Sequence, residues 1–159
     1  MDHRILNALM AAAVSAGLST AFTPAQAASP VEQVAAREQA MKRMGSGVQA
    51  VGKYLKGEGG SPADARSAAA AITEVSSLNP KQVFAEGTGI GVAKSDAKPE
   101  LWQNFGKVQE IWAQLKPAAA KLDAAGSSGN KQQIAQAMQE VGKVCSSCHE
   151  NYRRTPPTQ

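Results

Sequence analysis

The stretch VCSSCHENYRR, residues 144–154, decides the fold, because it ends a helical pattern and carries the chain's sulfur chemistry. It holds both cysteines and one of the two histidines; the other, His3, lies in a segment read below as a removable leader. Working back from Tyr152, the seam positions are Cys148, Cys145, Val141, Met138 and Ile134, at the steps of three and four that mark one helix face. The cysteines therefore take inward places on the last turns. His149, four residues after Cys145, shares a face with it.

Several chemistries compete for this cluster. A structural disulfide between thiols so close on a helix would close a small, strained ring. A closed zinc site needs a fourth ligand, and with His3 removed only a carboxylate could complete an unusual set. A thioredoxin-like pair belongs at a helix start after a strand, whereas this one sits at a helix end in a chain with no strand pattern. Covalent haem attachment fits: each thiol binds one vinyl group, and the next residue offers an imidazole to the iron. The motif thus predicts one haem c on Cys145 and Cys148, with His149 as axial ligand.

The far end of the chain supports export. Met1–Arg4 is a short, weakly basic start, Ile5–Phe22 is rich in apolar and small residues, and Pro24-Ala25-Gln26-Ala27 offers an A-x-A cleavage site. This reads as a signal peptide over residues 1–27, with the domain over 28–159 and a periplasmic destination. Polar interruptions such as Asn7, Ser15 and Thr20 make it a poor membrane span, so none is expected after processing. The net charge of +4 permits an acidic partner. The charges are scattered and no aromatic-basic strip is present, which excludes nucleic acid as an expected partner.

Four helices are expected. The first spans Pro30–Lys56 with a seam of Val34, Met41, Met44, Val48, Val51 and Leu55. Arg37 falls on this seam and leaves two readings open: a side chain snorkelling from a helix end, or the partner of a buried anion. Ser61-Pro62-Ala63-Asp64 caps a second helix that runs to about Leu78, with Ala65, Ala68, Ala69, Ile72, Val75 and Leu78 inward. Residues 81–98 form a long, Gly-rich surface loop that lacks either phosphate-loop spacing. A third helix starts at Pro99-Glu100, with Leu101, Phe105, Val108, Trp112, Leu115, Ala119 and Leu122 inward. With the last helix from about Lys131, these give an all-α, antiparallel up-down-up-down four-helix bundle. Haem adds apolar surface to a chain poor in aromatics, and its propionates favour the anion-partner reading of Arg37.

So little chain follows His149 that a sixth iron ligand must come from upstream. Met138 lies about three turns down the same helix and is read as core filler. Antiparallel packing sets the early turns of the first helix level with the late turns of the last. That leaves Met41 and Met44 as candidates, and the seam alone does not choose between them.

An exported bundle with CSSCHENYR at its end resembles the class II c-type cytochromes, the cytochrome c′ family. AREQAMKRM on the first helix, FAEGTGIG followed by AKPELW before the third, and CxxCHxxYR on the last all match its pattern. The resemblance implies haem c on Cys145 and Cys148 with His149 proximal. It also implies a propionate contact for Arg37 and a basic residue, Arg153, near the proximal histidine. The place four residues after Arg37 is the distal position, held by a non-ligating side chain in high-spin members. Here it is Met41, which resembles the low-spin, methionine-ligated cytochrome c-556 branch.

The expected function is a periplasmic one-electron carrier with His149 and Met41 as axial ligands to iron, not an enzyme. Its partners would be redox proteins, acidic ones among them. The alternative is a five-coordinate, high-spin cytochrome c′ that binds nitric oxide or carbon monoxide. The resemblance leaves open both a monomer and a homodimer built through the first two helices.

Overall fold

The computed structural model describes residues 28–155. The expected leader, residues 1–27, lies outside the described residues. Six helices form in chain order: α1 (Pro30–Lys56), α2 (Pro62–Ser76), α3 (Pro80–Val83), α4 (Glu100–Gln103), α5 (Phe105–Ser128) and α6 (Lys131–Tyr152). The four long ones, α1, α2, α5 and α6, are the four-helix bundle. Among the described residues there is no strand, only an isolated bridge between Ala97 and Arg153.

Local chemistry sets the helix ends. Ser29 caps α1 and Glu32 reaches back to the Ser29 N–H at 2.7 Å, with Pro30 in the first turn. Ser61, Pro62 and Asp64 repeat the arrangement on α2, with a 2.6 Å bond from the Ser61 N–H to Asp64. Asn130 accepts from the N–H groups of Gln132 and Gln133 to start α6. At the end of α1, Gly57 turns the chain out at φ 78°, a conformation that costs glycine little.

Small residues let the helices approach closely. Gly47 of α1 rests against Ala68 of α2, and Gly126 of α5 rests against Ala65 and Arg66. Val51 late on α1, Ala65 early on α2, Leu122 late on α5 and Ile134 early on α6 are all fully buried, as up-down-up-down packing requires. Burial of each large apolar side chain among them stabilises by about 1.5–3 kcal/mol.

The structure departs from the expected elements in three places. Leu78 is 48% exposed rather than inward, because α2 stops at Ser76 and the chain turns away before Asn79. The carbonyls of Ser76 and Leu78 instead accept from the indole N–H of buried Trp112 at 3.1 and 3.3 Å, which satisfies acceptors left at the helix end. The expected third helix is broken at Asn104 into α4 and α5. The long loop opens with α3, whose cap is Asn79, and it is not merely a surface cover: Thr88 is 0% and Ser95 4% exposed.

Candidate cofactor site

The last turns of α6 deliver Cys145, Cys148 and His149 to the wall of one cavity of about 500 Å³, within the range of cofactor-sized pockets. The opposite wall is α1, whose Val34, Arg37, Met41, Met44 and Val48 line the same space. Although α1 and α6 are neighbours in the bundle, they barely touch, and the cavity lies between them. Its floor is apolar, built from Val108, Ile111, Trp112 and Leu115 of α5 and Phe84 of the loop. Met138 does not line it and packs against the core.

Electrostatics set the state of the three motif residues. Burial pushes the Cys145 thiol up, and burial together with Cys145 pushes the Cys148 thiol up to about 11. Both are therefore protonated at neutral pH, the opposite of what an attacking redox thiol needs. Partial desolvation, then the nearby charge of Arg153, hold His149 below its ordinary value. Its ring is neutral at pH 7 and keeps a nitrogen lone pair for a metal. Arg153 sits just past the end of α6, where its N–H donates to the His149 carbonyl at 3.1 Å.

Arg37 is not a snorkelling side chain: it is 8% exposed. Its Nη1 donates to Thr88 Oγ1 at 2.7 Å and to the Val83 carbonyl at 3.5 Å. Its Nη2 donates to the Thr88 carbonyl at 2.7 Å and to Ser95 Oγ at 2.8 Å. The guanidinium also lies 5.7 Å from the Phe84 ring centre. All these acceptors are neutral, and among the described residues Arg37 has no carboxylate partner. A buried cation of this kind favours an anion beside it.

The loop that Arg37 holds is tied in turn to the end of α6. The N–H of Lys98 donates to the Tyr152 carbonyl at 2.9 Å, and the N–H of Arg154 donates to the Asp96 carbonyl at 2.8 Å. The Asp96 carboxylate pairs with Arg154 at 2.8 Å and reaches Arg153 at 4.0 Å. One strap thus joins the helix of Met41 to the helix end that carries His149.

These features fit haem c and do not fit the rival chemistries. Two thiols one turn apart and a neutral imidazole face an apolar slot. The cations Arg37, Lys42, Lys94 and Arg153 line it against the carboxylates Glu38 and Asp96, an excess of two positive charges suited to two propionates. Among the described residues no cluster of three His, Cys, Asp or Glu side chains could hold a metal ion, which argues against the zinc reading. Cys145, Cys148, His149, Arg37, Arg153, Met41 and Met44 all reach the one cavity. The structure does not choose between the methionines: Met44 is buried and Met41 half-buried. Thr88, Ser95, Asp96 and Lys94 are the residues that sequence reasoning missed. The small hydroxyls flanking the Gly-rich run were the only signal, and it was weak.

Comparison with known proteins agrees with this geometry. The sequence profile described as Cytochrome C' matches residues 32–153. Cytochrome c′ of Rhodospirillum rubrum is 31% identical over 145 residues, covering 91% of this chain and 97% of the relative. Cytochrome c-556 of Agrobacterium tumefaciens (strain II Chrys) is 33% identical over 124 residues, covering 76% of this chain and 96% of the relative. A carbon monoxide-bound variant of cytochrome c′ from Alcaligenes xylosoxidans superposes with a TM-score of 0.67 at 27% identity, over 80% of this chain and 98% of that one. A nitric oxide complex of another variant from that organism gives 0.68 at 26% identity, over 82% and 100%.

Proposed function

On the premise that this chain belongs to the cytochrome c′ family, whose members carry one covalently attached haem c, we propose that it is a periplasmic haem protein that binds nitric oxide or carbon monoxide. The observation that carries the reading is the cavity between α1 and α6, with His149 on one wall and the apolar side chains Val34, Met44 and Val48 of α1 opposite. The carbon monoxide and nitric oxide complexes of similar proteins favour it over the electron-carrier expectation.

In this reading Cys145 and Cys148 would hold the haem by thioether bonds, and His149 would offer its imidazole to the iron. The haem supplies an iron that exchanges one electron and takes a diatomic gas. The protein's part is to keep that site dry and fixed. Val34, Met44, Val108 and Leu115 exclude water from the slot. Arg37 would supply a buried positive charge for a propionate, and its bonds to Thr88 and Ser95 fix the loop beside the cavity. Arg153 favours the neutral form of His149. No helix among the described residues is long and apolar enough to cross a membrane.

Two observations favour a second reading. Met41 lines the cavity one turn beyond Arg37, and a cytochrome c-556 is among the similar proteins. With Met41 as sixth ligand the protein would be a low-spin one-electron carrier, since a thioether favours the reduced iron. Absorption spectra of the haem-loaded protein in both oxidation states, with and without carbon monoxide, separate the two. A broad high-spin spectrum that responds to carbon monoxide supports gas binding. A sharp reduced α band, a weak far-red band when oxidised and no response to the gas overturn it in favour of the carrier.

A further inference from the structure

The charges at the cavity mouth sort by partner. Lys42 pairs with Glu38 at 2.8 Å, and Arg153 and Arg154 share Asp96. The terminal N–H groups of Arg37 are committed to the loop. Lys94 lines the same cavity yet makes no ion pair among the described residues. It helps lower the Glu38 carboxyl, but Lys42 is the side chain bonded to that carboxylate.

The backbone around Lys94 is held in place. Ser95, the next residue, is 4% exposed and bonded to Arg37 at 2.8 Å and to the Thr88 carbonyl at 2.7 Å. Ala93, the preceding residue, has φ 47°, a left-handed conformation that a residue with a Cβ rarely adopts. Strain of this kind persists where the surroundings fix the chain for another purpose. The purpose consistent with the neighbours is to present an uncommitted cation to the cavity.

We infer that Lys94 is a carboxylate-binding residue of this site, the cation for one haem propionate, and that Arg37 acts partly as the positioning residue that sets it there through Ser95. The inference rests on the haem reading above. A lysine ammonium suits the place, because a point charge on a flexible stem can follow a carboxylate at the solvent edge.

The test is the midpoint potential of the haem-loaded Lys94→Gln protein at low and moderate salt. Lys56→Gln, on the last turn of α1 at the other end of the bundle, is the control. Loss of a cation beside the haem favours the more positive, oxidised iron. The potential should therefore fall in Lys94→Gln, the fall should shrink as salt screens it, and Lys94→Arg should restore it. A Lys94→Gln potential indistinguishable from that of Lys56→Gln overturns the inference. Haem content, read first from the absorption spectrum, keeps the two levels apart: a chain that never carries haem overturns the cofactor reading. A loaded variant with an unshifted potential overturns Lys94 alone. Lys94 is exposed, so neither substitution threatens folding.

Discussion

Arg37 and Thr88 are joined twice: one guanidinium nitrogen donates to the Thr88 hydroxyl at 2.7 Å, and the other donates to its carbonyl oxygen at 2.7 Å. The pair links α1 to a loop fifty-one residues further along the chain. Thr88→Val keeps the shape and the carbonyl bond but leaves one buried charged donor without its acceptor. A hydrogen bond to a charged group is worth about 1.5–3 kcal/mol, and that loss is expected in denaturant unfolding. Arg37→Lys should fare no better than Thr88→Val, since an ammonium cannot span Thr88 and Ser95 as the planar fork does.

Asp96 holds the other end of the strap. Asp96→Asn removes the pairing with Arg153 and Arg154, both half-exposed, so global stability should fall by only about 0.2–1 kcal/mol, less at high salt. The larger effect is expected locally: faster amide exchange at Lys98 and Arg154, whose N–H groups bond across the junction.

Close approach of α1 and α2 gives a prediction of opposite sign to helix propensity. Alanine in place of Gly47 gains about 1 kcal/mol as a helix former. Its Cβ, however, would stand 2.9 Å from the Ala68 Cα, and a backbone atom cannot swing aside. Overpacking costs about 1–3 kcal/mol. Thermal unfolding should show Gly47→Ala to be less stable than the parent, while Gly52→Ala, which meets no neighbour, should not be destabilised.

The thiols should be slow in the folded, haem-free chain. With Cys148 pushed up to about 11, its thiolate is scarce at pH 8. An unfolded thiol near 8.5 carries on the order of a hundredfold more. Alkylation by iodoacetamide, followed by mass spectrometry, should be at least about tenfold slower at Cys148 than in the same chain in urea. The raised value also means that folding favours the protonated thiol. The stability this gives is present below the unfolded pKa and is lost as pH rises towards the folded one.

The bundle was legible because its seams are regular. Val108, Trp112, Leu115, Ala119 and Leu122 repeat without a gap, and all are buried. The cofactor motif was legible because Cys145, Cys148 and His149 are adjacent in sequence and need no tertiary information. Leu78 misled because periodicity continues past the physical end of α2, where Asn79-Pro80 redirects the chain. The strap was invisible for a different reason. Thr88, Ser95, Asp96 and Lys94 lie in a loop without period, and their roles follow from Arg37, Arg153 and Arg154 far away in sequence. Only the tertiary structure shows that a buried arginine needed those hydroxyls.

The distal wall is the point on which function turns, and carbon monoxide binding to the reduced, haem-loaded protein tests it most directly, with Met41→Leu measured beside the parent. The parent is expected to bind one carbon monoxide per haem. Met41→Leu should bind the gas at least as tightly, because no thioether then competes for the place. A parent that ignores the gas, beside a Met41→Leu variant that takes it up, would contradict the account and assign Met41 to the iron.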